Sequence, residues 1–234
     1  MAARRAPAET MPPANRLASL ARQLEPPVSA GAAASALQPL QPDTAALMAQ
    51  MAALPVPAVA PPIEAVRRGF DDMLSGMAGW GIDTSAVHCT TATAPAVGDK
   101  PAVTSRCYAA SPSSPDTKLP ALLYIHGGGW TQGTAESYGA FTAALCARGH
   151  FAVISVEYRL APEHPAPAAA DDCFTALQWL AAGAPGSGLR IDTSRLALAG
   201  DSAGGHLTLL TALSARQAGI AGIVLQVPIE PRYM

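Results

Sequence analysis

The order of apolar and polar positions along the chain sorts it into alternating helices and strands. Asp43 can cap a helix carrying Leu47, Met51 and Leu54 at i, i+4 and i+7, which Pro55 and Pro57 end. Pro62 opens a second helix whose Ile63, Val66, Phe70, Leu74 and Met77 form one sustained stripe, with Arg67, Arg68 and Asp71 on other faces. Residues 85–110 alternate loosely and predict a pair of edge strands containing Val87, Val103 and Tyr108, followed by a loop from Ser111 to Asp116. Leu122-Leu123-Tyr124-Ile125 is apolar without interruption and the run from Phe151 to Val156 is apolar but for Ser155, the pattern of buried strands. Between them Tyr138, Phe141 and Leu145 mark a helix that ends near Gly149. Strand, helix and strand at this spacing predict a βαβ unit and a parallel sheet.

The second half repeats the pattern. Residues Tyr158 to Pro165 read as a loop, and Pro167 suits the first position of a helix holding Cys173, Leu177 and Leu180. Arg195 to Ala199 reads as a strand. Leu207, Leu209, Leu210 and Leu213 cover more than one face of the helix after it, which predicts burial. Ile223-Val224-Leu225-Gln226-Val227 is the last predicted buried strand. The fold class is therefore α/β.

Composition narrows the picture. A length of 234 residues makes one domain the default, and residues 1–40, rich in alanine and proline, are expected to be poorly ordered. Charged residues make up 14% and the net charge is −2, with no basic patch or stripe, so nucleic acid is not an expected partner. No run of 18 apolar residues appears, so no membrane span is expected. No compact apolar segment follows Arg4, Arg5, Arg16 and Arg22, which argues against a secretory signal. Cys89, Cys107, Cys146 and Cys173 show no metal spacing. They read as thiols in a reducing cytoplasm, with no metal and no cofactor.

Two glycine motifs carry candidate chemistry. Gly200-Asp201-Ser202-Ala203-Gly204 fits G-x-S-x-G with a strand before it and a helix after it. A nucleophilic serine must stand clear of the sheet on a tight turn, and side chains two residues either side would collide there. The helix that follows points its N-terminus at the site, where the Ala203 N–H can help to hold an oxyanion. The second motif, His126-Gly127-Gly128-Gly129-Trp130, directly follows the Leu122 strand. Consecutive glycines expose backbone N–H groups, as an oxyanion hole requires, and H-G-G-G is the form it takes in lipases and esterases.

With these motifs the chain resembles the hormone-sensitive-lipase-like branch of the α/β-hydrolases. The blocks that carry the likeness are His126 to Trp130, Tyr158-Arg159-Leu160-Ala161-Pro162-Glu163-His164-Pro165, and Gly200 to Gly205, in the family's order and spacing. The likeness runs from about residue 43 to about residue 227, and Ala166 departs from it where an aromatic residue is usual. The resemblance implies an α/β-hydrolase fold, a helical cap segment over residues 41–80 and a core over residues 81–234. It also implies hydrolysis of a small-molecule carboxylic ester through an acyl-serine. Ser202 is the expected nucleophile. Gly128, Gly129 and Ala203 are the expected oxyanion donors, and Gly127 shapes their loop. His126, Trp130, Tyr158, Arg159, Glu163, Gly200, Asp201 and Gly204 take structural parts, with Arg159 and Glu163 expected to pair. Two packed surface helices remain the alternative to the cap, and oligomeric state is left open.

The triad order on this scaffold is serine, then acid, then histidine. After Ser202 the only acid is Glu230 and the only histidine is His206, four residues past the serine on the helix that leaves the site. His206 is therefore not expected to serve as base, and His88, His150 and His164 have no acid partner in view. The expectation is a C-terminally truncated esterase whose sheet lacks its last strands. The alternatives are a catalytically inactive remnant, a non-catalytic binding module, and amide rather than ester cleavage.

Overall fold

The computed structural model describes residues 46, 49, 53, 60–76, 81–110 and 117–232. The extension over residues 1–40, Leu47, Met51, Leu54 and Met77, and the loop over residues 111–116 lie outside the described residues. The chain divides into two compact units, Met1–Ala58 and Val59–Met234. In the first, Ala46 and Ala49 are helical and the Ala53 N–H donates to the Ala49 carbonyl at 3.1 Å.

The second unit opens with α1 (Ile63–Gly76), whose polar–apolar stripe appears as the sequence predicts. Six strands follow: β1 (Val87–Ala94), β2 (Val103–Ala110), β3 (Leu119–Ile125), β4 (Ala152–Val156), β5 (Ile191–Asp201) and β6 (Ile223–Ile229). Between them lie α2 (Gly139–Gly149), α3 (Ala168–Ala181) and α4 (Ala203–Gln217). The strands form one sheet in the order β1-β2-β4-β3-β5-β6. β1 and β2, and β2 and β4, pair antiparallel, while β4, β3, β5 and β6 run parallel. This is a mostly parallel sheet flanked by helices, as the sequence predicts.

Residues 85–110 therefore form a pair, but only β1 is an edge. β2 lies between β1 and β4 and buries Val103, Ser105, Cys107 and Tyr108, so a two-sided ladder demands the more apolar strand there. Alternate residues of the central strands point to opposite faces. Leu123, Ile125, Ile154 and Leu198 join Cys173, Leu177 and Leu180 of α3 and Leu207 of α4 in one core cluster. Leu122, Tyr124 and Val153 form a second with Cys146 of α2, against which Phe70 and Leu74 of α1 and Phe141 of α2 pack.

α3 begins at Ala168 with Pro167 in the capping position, one residue later than the sequence predicts. The burial expected of α4 holds along Leu207, Thr208, Thr211 and Ala215, whereas Leu213 is exposed. β6 is a strand but not a buried one. Val224 is 67% exposed and Leu225 55%, because among the described residues β6 is the last strand of the sheet.

Candidate active site

The end of β5 turns into α4 at a single residue. Ser202 has φ 53° and ψ −116°, a sparsely populated conformation that only surrounding structure can enforce. Its N–H donates to the Ile229 carbonyl at 2.8 Å, and its own carbonyl accepts from His206 N–H at 3.1 Å and Arg232 N–H at 3.2 Å. The flanking glycines are dictated by backbone crowding. A Cβ at Gly200 would strike the Ile125 carbonyl oxygen and lie 2.5 Å from the Gly204 carbonyl oxygen. One at Gly204 would strike the Ile125 carbonyl oxygen and lie 2.5 Å from that of His126. Glycine at both positions lets the serine turn settle directly on the end of β3.

That contact brings the two motifs together. β3 and β5 are parallel neighbours with Ile125 opposite Gly200, so the glycine loop and Ser202 leave the same end of the sheet on adjacent strands. The loop is a tight left-handed run, with φ 121° at Gly128, 60° at Gly129 and 61° at Trp130. The Gly128 carbonyl accepts from Thr131 N–H at 3.1 Å and Gln132 N–H at 3.0 Å.

Asp201 ties loop and elbow into one unit. Its Oδ1 accepts from the Tyr124 hydroxyl at 2.7 Å and the Gly127 N–H at 3.0 Å, and its Oδ2 accepts from the Tyr138 hydroxyl at 2.9 Å. The Gly127 N–H is thus engaged and is no donor to a substrate. Among the described residues, the N–H groups of Gly128 and Gly129 make no hydrogen bond. The Ala203 N–H, at the first position of α4, has no partner within the helix. Burial, followed by the Asp201 carboxylate, holds the Tyr124 and Tyr138 hydroxyls well above the ordinary phenol range, so both stay protonated donors.

His126 is fully buried. Its Nδ1–H donates to the Gly127 carbonyl at 2.8 Å, and its ring stacks on Tyr158 at 4.2 Å between centroids. The Tyr158 hydroxyl donates to the His126 carbonyl at 2.9 Å. Burial pushes the imidazole down to about 4, so it is neutral at pH 7. Trp130 lies edge-on to His206, with ring centroids 5.7 Å apart.

The expected pairing of Arg159 with Glu163 is not what the structure contains. Arg159 forks onto Asp172 of α3, with Nε to Oδ2 at 2.9 Å and Nη2 to Oδ1 at 2.8 Å. The Asp172 side chain is buried and must be paired there, whereas Glu163 is exposed. Glu163 instead receives Arg67 of α1, at 2.9 Å and 2.7 Å to its two oxygens. Sequence reasoning passed over Tyr124, Tyr138, Asp172 and Arg67. A signal existed for Asp172 only jointly with Asp171, the two adjacent acids that precede the apolar Cys173 and Phe174 on α3. Among the described residues no cluster of three potential ligands could hold a metal ion, and no helix is long and apolar enough to cross a membrane.

Comparison with known proteins places this geometry. Residues 122–234 match a family described as having the alpha/beta hydrolase fold. Carboxylesterase NlhH of Mycobacterium tuberculosis is 42% identical over 116 residues, which are 50% of this chain and 36% of that protein. Lipase 2 of a Moraxella species is 42% identical over 113 residues, 47% of this chain and 26% of that protein. The match thus spans only about a third or less of these curated relatives. Among solved structures, a bacterial heroin esterase superposes with a TM-score of 0.66 at 35% identity, covering 80% of this chain and 57% of its own. A hyperthermophilic esterase from Pyrobaculum calidifontis superposes with a TM-score of 0.70 at 33% identity, covering 83% and 60%.

Proposed function

For a chain that belongs to the hormone-sensitive-lipase-like branch of the α/β-hydrolase fold family, we propose the nucleophile and oxyanion site of a carboxylic-ester hydrolase. The Ser202 hydroxyl attacks the ester carbonyl, and the N–H groups of Gly128, Gly129 and Ala203 hold the oxyanion that forms. The alkoxide leaves with a proton, and water later frees the acid from the acyl-serine. Backbone N–H groups fixed before the reaction cost no reorganisation when charge develops. The observation that carries this reading is the register of β3 and β5, with Ile125 opposite Gly200, which sets the glycine loop beside the serine turn.

α1 is the cap in this reading. Phe70 and Leu74 cover the Tyr124 and Tyr138 cluster, and the Phe70 ring would lie 3.2 Å from a Cβ built on Gly133 at the loop's end. The substrate class is a small-molecule ester, in line with relatives named carboxylesterase and lipase. Amide cleavage would use the same groups. A cytoplasmic setting rests on the cysteines, of which Cys107, Cys146 and Cys173 are buried as thiols.

A second reading, binding of an ester without turnover, has its own support. His206, four residues past Ser202 on the helix that leaves the site, packs against Trp130. Hydrolysis of p-nitrophenyl acetate and butyrate by this chain and by Ser202→Ala separates the two. Turnover that Ser202→Ala abolishes supports the hydrolase reading, and no turnover by either protein supports the binding reading. Ser202-dependent turnover at about 1 s⁻¹ or faster would establish a working base and remove the binding reading.

A further inference from the structure

The Gly129 N–H shares a rigid peptide plane with the Gly128 carbonyl, so whatever holds that carbonyl aims that donor. Two N–H groups hold it, those of Thr131 and Gln132. Each belongs to a peptide plane whose own carbonyl is gripped from outside the loop. The Trp130 carbonyl accepts from the Ala161 N–H at 2.9 Å. The Thr131 carbonyl accepts from Arg67 Nε–H at 2.8 Å. The same guanidinium donates from Nη2 to the Ala161 carbonyl at 3.1 Å, and its fork meets both oxygens of Glu163.

We infer, resting on the ester-hydrolase reading above, that Arg67 is a positioning residue: through two successive peptide planes it aims the Gly129 N–H at the oxyanion. Arg67 touches no reacting atom. It stands on α1, 62 residues before Gly129 and on a separate element, and clamps the outer side of the turn to the loop after β4. Only a planar guanidinium serves all of these acceptors at once. Nε faces one carbonyl while the two Nη groups face a carboxylate and a second carbonyl, a spread that the single ammonium of lysine does not span. The Arg67 side chain is three-quarters covered, so the clamp is partly shielded from solvent.

The test compares the full chain with Arg67→Ala and Arg67→Lys. Amide hydrogen exchange is followed on the segment 126–135 and on β3 and β5, and the rate of Ser202 acylation by p-nitrophenyl butyrate is measured against ester concentration. For both variants, exchange in the loop segment should rise about tenfold while β3 and β5 exchange as in the wild type. Acylation at saturating ester should fall about tenfold, with the half-saturating concentration within about twofold, the signature of a misaimed oxyanion donor. Unchanged loop exchange in Arg67→Ala, or faster exchange spread equally through β3 and β5, would overturn the positioning role. Full restoration by Arg67→Lys would overturn the peptide-plane relay. A wild-type chain that is never acylated would count against the ester reading, and the exchange measurement would still decide what Arg67 does for the loop.

Discussion

At Gly127 an added methyl group has nowhere to go. Its Cβ would strike Asp201 Oδ2 and lie 2.9 Å from the Asp201 carbonyl oxygen, in the place where that carboxylate gathers two tyrosines and the Gly127 N–H. Gly127→Ala should cost about 1–3 kcal/mol, as overpacking of a tight interior does. Urea unfolding checks it, and a midpoint equal to the wild type's would show that the Asp201 unit is looser than drawn. His126 makes a second prediction, in pH. Its folded-state value of about 4 lies below its ordinary 6.5, so the unfolded chain takes up the proton first. Stability should therefore decline as pH falls from about 6.5 towards 4, by up to about 1.4 kcal/mol per pH unit from this group. In His126→Asn the slope over that window should be shallower by this amount, and equal slopes in both proteins would contradict a buried neutral imidazole. The glycines at 127, 128, 129, 200 and 204 were legible in the sequence as two motifs, although the atoms that crowd Gly127, Gly200 and Gly204 come largely from the facing motif and the strand before it. The partners of Asp201 were not, since Tyr124 and Tyr138 lie 77 and 63 residues away and meet it only once β3, α2 and β5 are packed.

Among the elements, the βαβ units read clearly because apolar runs, helical spacing and Pro–Gly punctuation agreed. Two things escaped that reading. Strand order is not written in any one strand, so the interior place of β2 emerged only from its pairing with β4. Ion-pair partners are chosen by which element packs where, so Arg159 met Asp172 on α3 and Glu163 met α1. β6 shows the limit of the pattern itself, since a continuous apolar run says nothing about which neighbours cover it. With Val224, Leu225, Val227 and Ile229 exposed along a strand whose outer ladder has no partner among the described residues, self-association is expected. Val224→Lys combined with Leu225→Lys should raise the monomer fraction in light scattering at equal concentration. A wild-type chain already monodisperse as a monomer would show that this edge is not sticky.

On the scale of the whole molecule, among the described residues of the second unit two helices pack on each face of one sheet. α3 and α4 lie on one face, α1 and α2 on the other, and the loops after β3 and β5 emerge between them. The glycine loop after β3 and the Ser202 turn after β5 leave the same end of the sheet because of that arrangement, and the proposed reaction requires Ser202 Oγ to be the atom that takes the acyl group. Peptide mass analysis after incubation with p-nitrophenyl butyrate tests this most directly. A butyryl adduct is expected on the peptide that contains Ser202 after acid quenching, with no adduct there in Ser202→Ala. A butyryl group carried by a different residue, with Ser202 left unmodified, would contradict it.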